Sequence, residues 1–334
     1  MPDEKCPLIT DEGDEVQAAC PVIISASRST DIPAFYAEWF FHRLRKGYIR
    51  WINSFNPDRP YYVSFEKTRA IVFWSKNPQP IIQYLDYLDA QGLSYYFQYT
   101  LNDYEKEGFE PGLPSLEDRI KTFIELSERV GKDRVIWRYD PILLSGSLDM
   151  TTLLSRIHHI GERIAPYTRK CVFSFVDTKY AKVKRQAVVY HFRSLTEGEK
   201  HEFIAGLIRL NKEWNITLAS CADKTDYPGI EHNKCIDDGL LYEICRHDEE
   251  MIRYLDTHTQ KDPGQRPACR CIRSKDIGQY DTCLHGCVYC YAADHEKAKV
   301  NALKHQSMPE SDTITGEKPA RVQKVNSDIR MFLS

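Results

Sequence analysis

Seven times along this chain a short apolar run ends in polar residues and leads toward a helical stretch, and that alternation limits the possible folds more than any other feature. The first run, Val22-Ile23-Ile24, is β-branched and apolar, as suits a strand buried on both faces. It ends in Ser25-Ala26-Ser27-Arg28-Ser29-Thr30-Asp31. An amphipathic helix is predicted over 33–46, with Pro33 in its first turn and Gly47 as its stop. Later strands are predicted at 48–52, 70–74, 93–99, 135–137, 171–176 and 216–220. Their polar ends are, in turn, Asn53-Ser54-Phe55-Asn56-Pro57, Ser75-Lys76-Asn77-Pro78, Thr100-Leu101-Asn102, Arg138-Tyr139-Asp140-Pro141, Asp177 and Cys221-Ala222-Asp223. Further helices are expected near 80–90, 116–130, 150–164, 197–211 and 239–246.

Alternating strands and helices imply an α/β fold with a parallel sheet and right-handed crossovers. With 267–273 as an eighth strand, the count matches a closed or nearly closed β/α barrel of the TIM type. Residues 21–292 would form this single domain, after a flexible lead-in at 1–20 and before a polar C-terminal tail at 293–334. No Gly/Ser linker divides the chain, and no sequence repeat underlies the alternation. A chain of 334 residues with 42% hydrophobic content can bury a core of that size.

The formal net charge of −3 offers no overall basic field, so a nucleic-acid partner is not expected, and the basic runs 43–50 and 179–185 read as solvated helix faces. No apolar run approaches the roughly 18 residues that a membrane span needs. The N-terminal MPDEKCPLITDEGDEV is acidic where a signal peptide is basic, so the expected location is cytoplasmic.

Five of the eleven cysteines fall between Gly264 and Ala292. Cys283, Cys287 and Cys290 have the spacing C-x3-C-x2-C, which lets one loop point three thiolates at a common centre. Thiolate is the ligand preferred by iron-sulfur clusters and zinc. A [4Fe-4S] cluster held by three cysteines keeps one iron open. A zinc site closed by four of these five cysteines is the alternative. Cys269 and Cys271 share a face of an extended strand, where either could be a fourth ligand, a thiol near substrate or a small packing group. Gly286 gives the loop backbone freedom that a side chain resists. The other cysteines, at 6, 20, 171, 221, 235 and 245, show no ligand spacing and read as inert, and a reducing compartment disfavours disulfides.

This stretch resembles the signature of radical S-adenosylmethionine enzymes, and in particular the spore photoproduct lyase-like group. The resemblance implies a cluster on Cys283, Cys287 and Cys290, S-adenosylmethionine on the open iron, an external reductant such as ferredoxin or flavodoxin, and an adenosyl radical. Tyr289 then stands in the aromatic position that in those enzymes lies beside the cofactor's adenine. In most of them the cysteine loop follows the first barrel strand, whereas here it follows the last. Because first and last strands are neighbours in a closed barrel, the loop would fill the same slot, as in a circular permutation. Over about 20–292, the segments SASRSTDIPAFYAEWFFHRL, VFWSKNP, FQYTLN, VIWRYDPIL and SFVD, together with the cysteine stretch, resemble the family called domain of unknown function 1848.

The strand ends supply the remaining candidates, since barrel enzymes place their chemistry there. Arg28 and Asp31 can hold a cofactor carboxylate or ribose, or Asp31 can cap the next helix. Lys76 and Asn77 aim a charge and an amide into the mouth, or form the turn before Pro78. Arg138 and Asp140 face the same way in an extended strand, to hold a substrate or to neutralise one another. Asp177 and Asp223 can do acid-base work or start helices.

Overall fold

The computed structural model describes residues 4–52 and 61–316. The polar end expected at 53–57 and the tail from 317 onward lie outside those residues. In chain order the strands are β1 (Lys5–Ile9), β2 (Glu15–Ala19), β3 (Ile23–Ala26), β4 (Tyr48–Trp51), β5 (Tyr61–Ser64), β6 (Ala70–Ser75) and β7 (Ser94–Thr100). They continue with β8 (Val135–Ile142), β9 (Leu144–Ser145), β10 (Lys170–Phe175), β11 (Phe192–Arg193), β12 (Thr217–Ser220), β13 (Glu231–His232) and β14 (Lys275–Asp276).

Eight strands form one sheet in the order β13-β12-β10-β8-β7-β6-β3-β14, and every neighbouring pair is parallel. The α/β class and the parallel sheet are therefore as expected. The closed barrel is not formed: β13 and β14 are the two edges, and strands of two residues leave too little ladder to join them. The expected eighth strand at 267–273 makes only an isolated bridge, Lys261 with Ile272. The strand that flanks β3 is β14 instead, so the last strand still lies beside the first.

Both faces of the sheet are covered, as its apolar strands require. On one face Ile71, Phe97, Trp137 and Phe173 pack against helices that include Leu116–Val130, Met150–Ile164 and Glu197–Trp214. Each of these begins where a side chain can cap it: Ser115 accepts from Asp118 N, Asp149 from Thr152 N, and Thr196 forms a capping box with Glu199. On the other face Ile23, Val72, Tyr96, Ile136, Val172 and Ala219 meet Cys235, Ile236, Leu240, Cys271 and Ile272. Segment 235–272 thus lies across this face, where a closed barrel would have its interior.

Two stretches differ from expectation. Strand 48–52 was expected in the main sheet, yet β4 pairs antiparallel with β5 in a separate sheet of order β1-β2-β5-β4. Only nine residues separate β4 from β5, fewer than the dozen or more of a parallel crossover, which suits an antiparallel pairing. In the lead-in 1–20, β1 and β2 form a hairpin in which Cys6 faces Ala18, and Ala19 pairs on to Val63 of β5. Its polar composition conceals a buried row of Cys6, Ala18 and Cys20, packed with Leu8 and Tyr62. Cys6 and Cys20 are joined as a disulfide, which their sequence spacing did not announce. Among the described residues no helix is long and apolar enough to cross a membrane.

Candidate metal centre

The strand that leads into the cysteine loop is tied to β3 by the Asp276 carboxylate. Asp276 of β14 accepts from Ser25 Oγ at 2.9 Å, Ser27 Oγ at 2.8 Å, Arg28 N at 2.8 Å and Gly278 N at 2.9 Å. The approach is so close that a Cβ on Gly278 would fall 1.8 Å from Ser27 Oγ. Beyond it, Tyr36 O–H donates to Thr282 O at 2.6 Å, and Asp281 N–H donates to Ala292 O at 3.0 Å, closing the loop on itself. From the segment after β7, Gly112 N–H donates to His285 O and Phe109 O accepts from Val288 N. Gly286 has φ of +67°, the left-handed conformation that its place before Cys287 suggested.

Cys283, Cys287 and Cys290 are all partly exposed and mutually close enough to affect one another's ionisation. Burial pushes the Cys283 thiol up, and Asp31 and Cys290 push it further. Burial also holds the Cys287 thiol well above its ordinary range, against the opposing pull of Lys76. Thiols in such a place ionise when a metal cation joins them, because the ion outweighs the other charges. Among the described residues their sulfurs are not gathered within 4.8 Å of one another. Sulfurs around a single tetrahedral zinc lie about 3.8 Å apart, given Zn–S bonds of about 2.3 Å. The donor set of three thiolates fits a soft metal centre, whether a cluster or a single ion.

Next to the loop lies a buried polar network. Glu110 Oε1 accepts from Lys76 Nζ at 2.7 Å, from Asn102 Nδ2 at 3.0 Å and from the Tyr289 hydroxyl. Lys76 Nζ also donates to Tyr289 Oη at 3.1 Å. Burial alone would raise the Glu110 carboxyl, but Lys76 and Arg119 overcome it and hold the group below the usual carboxylate range. Burial opposes the Lys76 charge, while Glu110 and Cys287 raise its pKa above the ordinary lysine value. Glu110 Oε2 and His285 Nδ1 are buried without a hydrogen-bond partner. Glu110 escaped sequence reading because it sits in an irregular segment, GFEPG, with no strand end to mark it.

The remaining candidates divide. Asp31 accepts from Ala34 N at 3.0 Å as a helix cap, and also from Ser75 Oγ at 2.7 Å, Lys76 N at 2.8 Å and His285 Nε2 at 2.7 Å. It therefore joins the ends of β3 and β6 to the cysteine loop. Asn77 enters through its backbone, its N–H donating to Ser75 Oγ in the turn before Pro78. Arg138 is ion-paired with Asp140, whose carboxylate also accepts from Ser174 Oγ. Asp177 and Asp223 accept from the backbone N–H groups of Lys179 and Thr225, as turn residues do.

Arg28 and the two upstream cysteines lie elsewhere than beside the trio's network. The Arg28 guanidinium sits over Trp74, 5.3 Å from the ring centre, and donates to Ser274 Oγ at 3.4 Å. Its charge is felt by Cys271, Cys235 and Cys269. The thiols of Cys269 and Cys271 interact with each other, and Cys271 interacts with Cys235.

No curated protein matches the sequence. Among solved structures, one from Bacteroides thetaiotaomicron, provisionally assigned as an alpha-L-fucosidase, matches with 11% identity over 55% of this chain and 74% of its own. Its TM-score of 0.24 is too low to support an argument. The sequence does match a family model over residues 23–292, a span that takes in the whole eight-stranded sheet and the cysteine loop, and the chain belongs to that family, Domain of unknown function (DUF1848).

Proposed function

We propose that this protein is a radical S-adenosylmethionine enzyme whose [4Fe-4S] cluster is held by Cys283, Cys287 and Cys290. One observation carries the reading. A C-x3-C-x2-C loop follows a strand paired beside β3, on the side where the C-terminal strand ends bearing Lys76, Asn102 and Asp140 also meet. The position supports the permuted arrangement even though the sheet is open. Cys269 and Cys271 have Cys235 as sulfur neighbour, which speaks against their closing the trio into a four-ligand site.

When bound, such a cluster supplies an open iron for S-adenosylmethionine and the electron, delivered by an external donor such as ferredoxin or flavodoxin, that produces an adenosyl radical. The chain's own residues do the binding and shielding. Lys76 keeps a positive charge beside Cys287 and offsets the thiolates. Tyr289 is fixed by Glu110, Lys76 and Asn102, so its ring cannot swing away from the loop. Asp31 acts by position, holding His285 and therefore the backbone between Cys283 and Cys287. Asp140 presents the substrate-facing carboxylate, with Arg138 behind it keeping the acid ionised.

The test is electron paramagnetic resonance of anaerobically reconstituted, reduced protein before and after adding S-adenosylmethionine. The expected result is a reduced-cluster signal that changes on addition. A signal indifferent to the cofactor, or bound zinc on the trio with no cluster, would overturn the proposal.

A further inference from the structure

A second group of thiols gathers beside β12 and β13, at the opposite edge of the sheet from β14. Cys221 follows β12, Cys235 follows β13, and Cys269 and Cys271 come from the segment laid across the sheet before β14. The sulfurs of Cys221 and Cys235 are 3.5 Å apart, Cys235 interacts with Cys271, and Cys271 with Cys269. Four thiols drawn from three separate segments therefore run in one chain of contacts, and all four carry free sulfur.

What surrounds them is equally telling. Arg138 Nη1 donates to Cys235 Sγ at 3.1 Å, and Asn233 Nδ2 donates to the same sulfur at 3.3 Å. Cys271 Sγ accepts from the backbone N–H groups of Cys235 and Ile236 at 3.2 and 3.4 Å. Arg28 and Arg266 add positive charge near Cys271 and Cys221. A neutral thiol is a weak acceptor, whereas a thiolate is a strong one, so these donors are placed to hold the sulfurs as thiolates once an ion joins them. Several thiolates held side by side repel unless a cation lies between them.

We propose that Cys221, Cys235, Cys269 and Cys271 form a second metal centre, a four-thiolate site for a single zinc-type ion, separate from the trio on the loop. The 3.5 Å between Cys221 and Cys235 sulfurs is close to the roughly 3.8 Å edge of a tetrahedral zinc site. Among the described residues no three of the four sulfurs lie within 4.8 Å of one another, so binding draws the ends of the chain inward. Four ligands leave no open position, and the centre is structural: it pins segment 235–272 to the ends of β12 and β13. Up to four thiol protons leave on binding, and the arginines offset the net negative charge that remains. The proposal is independent of what occupies the trio.

The experiment is metal analysis by mass spectrometry of full-length protein purified anaerobically under reducing conditions, comparing wild type with C283S/C287S/C290S and with C221S/C235S. The expected result is about one zinc per chain in wild type and in the triple variant, falling about tenfold or more in C221S/C235S. Wild-type protein is also alkylated with iodoacetamide, with and without a zinc chelator, and each cysteine is read by peptide mass. This arm decides the matter if the double variant fails to fold. Labelling of Cys221, Cys235, Cys269 and Cys271 should rise on chelation. Labelling of these four that is unchanged by chelator, zinc absent from wild type, or iron rather than zinc lost from C221S/C235S would each overturn the proposal.

Discussion

The two thiol groups of this protein differ in how the chain assembles them. The trio comes from one loop of eight residues, Cys283 to Cys290, partly exposed and set among Lys76, Glu110 and Asp31. The quartet is gathered from Cys221, Cys235, Cys269 and Cys271, mostly buried, and faces hydrogen-bond donors. A loop can offer three ligands and leave a coordination position free for chemistry. Ligands pulled from three segments close around an ion and fasten those segments together. The difference teaches that, on the proposed assignments, reactivity goes with the local motif and stability with the dispersed one.

The largest expected effect is a crossed loss of metals. Cys287→Ser should remove nearly all iron from reconstituted protein, about tenfold or more, while leaving zinc in place. Cys235→Ser should do the reverse. Iron and zinc measured on the same samples check this, and parallel loss of both metals in either variant would break the separation.

Next comes the support beneath the trio. Lys76→Met removes the nearer of the two cations beside a buried Glu110, leaving only Arg119 at 3.9 Å, and should cost about 1–3 kcal/mol in urea denaturation. Adding Glu110→Gln should recover much of the loss, since the poorly balanced charge goes with it. A cost below about 1 kcal/mol would show that the network is not coupled to the loop as the contacts imply. Gly112→Ala sets a Cβ 2.6 and 2.8 Å from the carbonyl oxygens of Leu284 and His285. Backbone cannot swing aside as a side chain can, so this substitution should cost about 1–3 kcal/mol and lower iron incorporation, with zinc unchanged.

Much of this was legible because the signals were local. The helices at 116–130 and 150–164 were placed within their observed bounds by apolar periodicity, and Gly286 by its place between ligands. The trio's spacing is likewise a local fact. What escaped depends on distant partners. Strand 48–52 reads as apolar and extended, but only the short return to Tyr61 decides which sheet it joins. Asp276 lies in SKDIG without distinction, yet it anchors β14 to three successive residues after β3 and to Gly278. Cys221 and Cys235 read as inert because no spacing connects them with Cys271; what connects them is the segment 235–272 laid across the sheet.

The smallest expected effect distinguishes the two groups by the sign of their response to pH in metal-free, reduced protein. Contact with Cys271 lowers the Cys269 thiol from 9.0 to about 7, against the opposing effect of burial. A group ionised more readily in the folded chain stabilises it above the unfolded value and loses that contribution as pH falls through the folded one, so Cys269 should add stability between pH 7 and 9. Cys271 itself is shifted upward, with Cys269 the leading upward cause, so its own effect falls above pH 9 and outside this window. Cys283 and Cys287 behave oppositely: their thiols are raised in the fold, so their contribution is complete below pH 9 and fades only above it. Urea midpoints at pH 7 and 9 for wild type, Cys269→Ser and Cys283→Ser should therefore show a rise with pH that is lost in the first variant and kept in the second. Equal slopes in wild type and Cys269→Ser would mean that the thiol contacts beneath the sheet do not hold Cys269 as a thiolate. Restoring zinc should flatten the wild-type slope, because an ion that keeps all four sulfurs ionised leaves none to titrate in this range.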